Sequence, residues 1–367
     1  MISTSRRLAT LLLLSSWLRI KIINATRTLP PKLLVGYAST CGDGRVERAV
    51  QSGVNVVVWS FWNVAVPNEQ SPLANLPIIG SRLNLTCIEH LIRSLGQTGY
   101  ADTVHLASIG GWDGGHLPED YDADVIYEVW KDWSNGIFHG IDWDLEGNDI
   151  LQHSNNYFSL ECLDKMGEIS SLAKSDGLTV SMAPPQSYFD SGSSRFSRYV
   201  NLTDSTRVWK HTDFSYYGAN VYAYVYAKWD DAIDFVSIQL YESYSRAMYE
   251  SRYNGVSDYM LSFMNITEWE VKFSEDQSVN LPDQFIVIPP HKLVIGLANG
   301  WADDQKSLFI TPQELESAYR QLEEYSKPRG IMFWTIDLEG NYGINMAEGL
   351  NQFLHIRNFT FSSSSIL

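Results

Sequence analysis

The sequence predicts an α/β fold, a (β/α)8 barrel of the TIM type with an aromatic-rich insertion between its fifth and sixth strands. Three observations carry this expectation. Eight short apolar runs recur through the chain, and most are separated by stretches whose apolar residues fall at helical spacing. Strands that alternate with amphipathic helices form a parallel sheet with crossover helices, and eight such units close into a barrel. A chain of 367 residues is long enough for one such domain, and 44% hydrophobic against 19% charged residues excludes a disordered polymer.

The elements follow in order. Residues 33–37 (Leu-Leu-Val-Gly-Tyr) are the first strand, and a short helix over 45–52 stops at Gly53. The second strand, 54–61, is built on Val56-Val57-Val58-Trp59, and 67–83 reads as loop. Leu85, Ile88, Leu91, Ile92 and Leu95 share one face of a helix over 85–95. The third strand, 104–112, is interrupted by Gly110-Gly111, and a helix over 120–133 leads to the fourth, 136–146. Leu160, Leu163, Met166, Ile169 and Leu172 line a helix over 157–174, and Pro184-Pro185 stop the fifth strand, 178–183. Strand six covers 235–241, a helix covers 259–273, and strand seven covers 292–298. Thr311-Pro312-Gln313-Glu314 is a capping box with proline at the first helical position, followed by the stripe Leu315, Ala318, Tyr319, Leu322 and Tyr325. Strand eight is 331–337, and a helix over 346–355 closes the domain. The insertion over 185–234 holds Tyr188, Phe189, Phe196, Tyr199, Trp209, Phe214, Tyr216, Tyr217, Tyr222, Tyr224, Tyr226 and Trp229. Two readings stand for it: a wall along a long cleft, or a small core of its own, which a loop of this length requires.

The chemistry gathers on the fourth strand. Asp142, Asp144 and Glu146 occupy alternate positions, so a strand puts all three on one face, roughly 6.5–7 Å apart, with Ile141, Trp143 and Leu145 on the other. The apolar face calls for a covering helix. A half-solvated strand with an acidic outer face is the plain alternative. In a (β/α)8 barrel the active site lies at the C-terminal strand ends, which is where Glu146 falls. Three acids strung along one strand span too far to converge on one cation, so no metal is expected. Asp-Leu-Glu-Gly-Asn recurs over 337–341 with Thr335 in place of Asp142, which makes Asp337 a hydrogen-bonding support rather than a catalyst. H-E-x-x-H, G-x-S-x-G, P-loop and G-x-G-x-x-G patterns are absent. A net charge of -16 is a poor surface for nucleic acid or anionic lipid and suits a neutral or cationic substrate.

The fourth strand resembles the D-x-x-D-x-D-x-E signature of glycoside hydrolase family 18, the chitinases and their relatives. Further matches follow in the family's order: Ser108-Ile109-Gly110-Gly111 resembles its S-x-G-G, Met182-Ala183-Pro184 its fifth-strand segment, Gln239-Leu240-Tyr241 its Q-x-Y, and Trp334 its eighth-strand tryptophan. The resemblance covers nearly all of the chain after the leader, and plant-type single-domain chitinases look nearest. One position departs: His139 stands where the family has its first Asp, and strict alternation turns it away from the carboxylate face. It reads as a packed or surface histidine rather than a metal ligand. The resemblance implies a retaining, substrate-assisted cleavage of β-1,4 bonds between N-acetylglucosamine units, without cofactor. Glu146 would be the acid and then the base. Asp144 would orient the substrate's acetamide and Tyr241 would hold its carbonyl oxygen, with Asp142 sharing a proton with Asp144. Trp334 would stack under the sugar, and Tyr37, Gln239, Met182 and Gly111 would line the site; for Tyr37 and Trp334 core packing is the alternative, and for Ser108 and Gly111 a backbone role. The partners implied are chitin or N-acetylglucosamine oligosaccharides, bound by a monomer. An endo-β-N-acetylglucosaminidase acting on N-glycans and a non-catalytic chitin-binding lectin on the same barrel are the competing functions.

The remaining features concern destination. Residues 1–25 carry Arg6-Arg7 before an apolar run too short to span a bilayer, which reads as a signal peptide, with an uncleaved anchor as the alternative. N-x-[ST] sequons at Asn24, Asn84, Asn201, Asn265 and Asn358 fit a secreted glycoprotein, with signal-anchored or vacuolar placement as alternatives. Cys41, Cys87 and Cys162 allow at most one disulfide and read as ordinary buried thiols. The barrel domain spans 30–357, and 358–367 is a frayed tail.

Overall fold

The computed structural model describes residues 27–67, 76–148, 153–200, 219–242, 245–266, 268–302 and 307–354. The leader, the sequons at Asn24, Asn201 and Asn358, and the tail lie outside them. The strands are β1 (Leu33–Ala38), β2 (Val56–Ala65), β3 (Ile78–Ser81), β4 (Val104–Gly111), β5 (Gly140–Leu145), β6 (Thr179–Met182), β7 (Phe235–Gln239), β8 (Glu268–Val271), β9 (Gln284–Val287), β10 (Leu293–Ala298) and β11 (Gly330–Trp334). Eight of them run parallel in the order β1-β11-β10-β7-β6-β5-β4-β2, and β1 pairs with β2 to close the ring. The helices are α1 (Arg45–Gln51), α2 (Leu85–Gln97), α3 (Ala123–Ser134), α4 (Leu160–Ser175), α5 (Val221–Trp229), α6 (Arg246–Asn254), α7 (Val256–Asn265), α8 (Pro312–Tyr319) and α9 (Met346–Leu354). Every crossover carries at least one, so the fold is the expected (β/α)8 barrel.

Strand parity separates two cores. Leu33, Val35, Tyr37, Val56, Val58, Val104, Leu106, Val294 and Met332 fill the inside of the ring. Their sequence neighbours Leu34, Val57, Ala107, Ile295 and Ile331, with Ile141 and Trp143 on β5, face the helices. The outer face of β5 is covered as its apolar residues require: Trp143 donates its indole N–H to Ser170 Oγ on α4 at 2.8 Å. His139 also faces outward, 5% exposed, and its Nδ1 accepts from the His105 amide at 2.8 Å. Burial pushes its pKa down to about 3, so it is neutral and packed, on the face away from the carboxylates that alternation predicts.

Four expectations need correction. The 67–83 loop contains β3, which pairs antiparallel with the far end of β2. The helix assigned to 259–273 ends at Asn265, because Glu268-Trp269-Glu270-Val271 alternates exposed and buried and joins β9 as a hairpin. The α8 stripe stops at Leu322, and Tyr325 is 81% exposed, because the helix ends at Tyr319. Cys41 and Cys87 form a disulfide across a sequence separation of 46, leaving only Cys162 as a buried thiol. The capping box at Thr311 is present with both of its hydrogen bonds.

The aromatic insertion contains a barrel helix: Tyr222, Tyr224 and Tyr226 lie on α5 and are buried with Tyr188, Phe189 and Phe196. These residues form a core. Trp209, Phe214, Tyr216 and Tyr217 fall outside the described residues.

Candidate active site

The inside of the barrel changes character upward along β5. Below Asp142 the filling is apolar; from Asp142 onward it is carboxylate, hydroxyl and amide. Register explains the change, because β4 sets Ser108 beside Asp142 and β6 sets Ser181 on its other side. Asp142, 1% exposed, accepts hydrogen bonds from Tyr37 Oη (2.6 Å), Ser108 Oγ (2.7 Å) and Ser181 Oγ (2.5 Å). Burial raises its pKa and the three hydroxyls oppose that rise.

Asp144 stands one step higher and accepts from Gln239 Nε2 at 2.7 Å; the same amide reaches the Ala183 carbonyl. Its carboxyl is hydrogen-bonded to that of Glu146. Both groups are buried and both pKa values are driven well up, first by desolvation and then by neighbouring negative charge. For Glu146 those neighbours are Asp144 and Glu242; for Asp144 they are Asp142 and Glu242. Two buried carboxyls in contact cannot both ionise, so one proton is shared between them. Glu146 Oε2 is buried with no hydrogen-bond partner among the described residues, which leaves it to engage an incoming group.

An aromatic floor lies beside the acids. The half-buried Trp334 ring stacks on Phe61 (centroids 5.5 Å, 16°) and tilts against Tyr37 (5.4 Å). Trp301 donates its indole N–H to the Trp334 carbonyl at 2.6 Å and meets the Tyr241 ring edge-on at 6.0 Å. The Ser60–Phe61 and Trp334–Thr335 peptide bonds are cis. Gly110 and Gly111 have positive φ, and each is pressed by a neighbour: a Cβ on Gly110 would lie 2.4 Å from the Asp144 carbonyl oxygen, and one on Gly111 would lie 2.4 Å from the Phe61 ring. Gly111 therefore touches the aromatic floor through its backbone.

Tyr37, Asp142, Asp144, Glu146, Gln239, Tyr241 and Trp334 thus converge on one mouth. Met182 does not. Ser181 on β6 and Ala183 just past its end take the inward positions, so Met182 packs into the barrel–helix core, and its assignment to the site lining is corrected. Among the described residues no group of three or more His, Cys, Asp or Glu side chains is arranged to hold a metal.

Sequence reasoning missed several participants. Ser181 was findable, because it shares inward parity with Asp142 once the strands are aligned. Phe61, Trp301 and Glu242 carry no local signal. Nor do the residues that clamp the chain past β5, where the sheet ladder ends. Tyr222 donates to the Leu145 carbonyl (2.9 Å), the Gly147 amide donates to Tyr188 Oη (2.9 Å), and the Asn148 amide donates to Asn156 Oδ1 (2.6 Å).

No protein-family model matches the chain, and no curated protein matches it. Solved structures do. A family 18 chitinase from Chromobacterium violaceum aligns over 90% of this chain and 85% of its own, with a TM-score of 0.62 and 16% identity. A family 18 chitinase from Crocus vernus aligns over 89% of this chain and 100% of its own (TM-score 0.54, 13% identity), and one from Pseudoalteromonas aurantia does so over the same shares (TM-score 0.51, 14% identity). At these identities the likeness establishes the fold.

Proposed function

We propose that the chain is a chitinase-like glycoside hydrolase of family 18 that cleaves β-1,4 bonds between N-acetylglucosamine units with retention. The observation that carries the reading is the buried Asp142–Asp144–Glu146 ladder, rising through the barrel and ending in a carboxyl that shares a proton. Glycoside cleavage needs a proton on the leaving oxygen and charge stabilisation at the anomeric carbon. Glu146, held protonated by burial and by Asp144, supplies the first and then acts as base toward water. The substrate's own acetamide oxygen attacks the anomeric carbon. Asp144 orients the acetamide N–H, and Tyr241 donates to its carbonyl. Asp142, fixed by three hydroxyls, keeps negative charge beneath Asp144 as positive charge develops. Trp334 supports the distorted ring. The shared fold of the family 18 chitinases supports the assignment, as do the residue matches on five strands.

The Cys41–Cys87 disulfide and the leader-like N-terminus support passage through an oxidising compartment. The test is incubation of the purified protein with N-acetylglucosamine oligomers, reading product length and anomeric configuration. Shorter oligomers released first as the β-anomer support the reading. Inversion, or binding without cleavage, would overturn it, the latter in favour of a lectin. Cleavage confined to glycoprotein N-glycans would point to the endo-β-N-acetylglucosaminidase.

A further inference from the structure

Glu146 lies one residue beyond the last position of β5, so the sheet does not fix its peptide group. Two side chains reach that peptide: Tyr188 accepts from its N–H, the Gly147 amide, and His116, from the loop between β4 and α3, meets its carbonyl. Its Nε2 lies 3.1 Å from the Glu146 carbonyl oxygen and its Nδ1 lies 3.2 Å from the Tyr157 carbonyl oxygen. The ring packs on Phe158 with centroids 4.0 Å apart. The same two loops are tied again where Asn155 Nδ2 donates to the Gly114 carbonyl at 3.0 Å. His116 therefore joins three segments at one point: its own loop, the peptide of the candidate acid, and the stretch that enters α4.

Both groups facing the imidazole are carbonyls, which only accept. A neutral ring owns one N–H and can satisfy one of them. Burial pushes the ring's pKa down to about 4, so it is neutral across the ordinary range. The shorter contact is to Glu146. We propose that His116 is a positioning residue for Glu146: its ring N–H, donated to the Glu146 carbonyl, holds the peptide that aims the carboxyl. This rests on the reading of Glu146 as the acid. His116 itself touches neither substrate nor reacting atoms.

The test compares His116→Phe, which keeps the ring face on Phe158 and loses both nitrogens, with His116→Gln, which keeps a side-chain N–H. Two readouts are taken. The first is hydrogen exchange at the Gly147 amide, the N–H of the same peptide group, which donates to Tyr188. The second is kcat and KM on N-acetylglucosamine oligomers. His116→Phe is expected to speed Gly147 exchange about tenfold or more, with β1 amides unchanged, and to lower kcat about tenfold to a hundredfold with KM within about twofold. His116→Gln is expected to recover most of both. Wild-type exchange at Gly147 in the Phe variant overturns the proposal. So does a Gln variant as impaired as the Phe variant, with exchange raised across the whole barrel, because that pattern marks general destabilisation. An inactive wild type would overturn the functional reading, and Gly147 exchange would still decide whether His116 holds the peptide.

Discussion

The chain spells Asp-Leu-Glu-Gly-Asn twice, and the two copies meet different fates. At the end of β5 the copy over 144–148, which begins inside the strand, turns its acids inward. Asp144 and Glu146 are 3% and 5% exposed, pressed against each other and surrounded by further negative charge. After β11 the copy over 337–341 leaves the sheet at once in a short 3-10 turn. Asp337 there accepts from the amide and hydroxyl of Ser39 and the amide of Thr40, tying the end of the last barrel strand to the loop after the first. Glu339 accepts from the Met346 amide at the start of α9, and burial lifts its pKa to about 7. Five identical residues thus make a proton store in one place and a pair of struts in the other. The strand before each copy decides which. β5 itself carries Asp142 and Asp144 inward and runs on to Glu146; in the second copy Thr335 stands where Asp142 would be and donates to the Tyr37 carbonyl at 2.7 Å.

The contrast can be broken at its strongest point first. Glu146→Gln should lower oligomer hydrolysis by about a thousandfold or more, whereas Glu339→Gln should stay within about twofold of wild type. Equal losses would erase the distinction between the copies. Asp144→Asn should cost about a hundredfold in kcat. It should also move the alkaline limb of the rate profile to lower pH, because Asp144's charge is one cause of the raised Glu146 pKa. An unmoved limb would mean that burial alone holds the proton. Asp337→Ala should leave the rate unchanged and lower the urea midpoint by an amount worth about 1–3 kcal/mol, the loss of charge-assisted bonds to Ser39 and Thr40. The smallest effect concerns pH and stability. Carboxyls with raised folded pKa values bind more protons folded than unfolded, so stability falls as pH climbs from about 4 toward the folded values. Glu146→Gln removes part of that loss. It should raise Tm by roughly 2–4 °C at pH 8 and leave it unchanged near pH 4.

Much of this was legible from the residues, for identifiable reasons. Strand parity follows from backbone geometry, so the inward face of Asp142, Asp144 and Glu146 and the outward face of His139 could both be read directly. The same rule, applied to Ser181, turns Met182 outward and away from the site. The Cys41–Cys87 bond was not legible, because nothing local says that the loop after β1 meets the first turn of α2. Phe61 and His116 were missed for the same reason. Each acts through a neighbour brought close by barrel closure, and no period or spacing in the sequence records that closure.

Closure has a temporal side. β1 pairs with β2, the next strand made, on one edge and with β11, the last, on the other, and Thr335 just past β11 donates to the Tyr37 carbonyl across 298 residues of sequence. A nascent chain still lacking its final strand exposes one edge of β1 and leaves the ring open beside Tyr37. Late long-range pairing of this kind slows folding and leaves an unpaired edge available to other chains in the meantime.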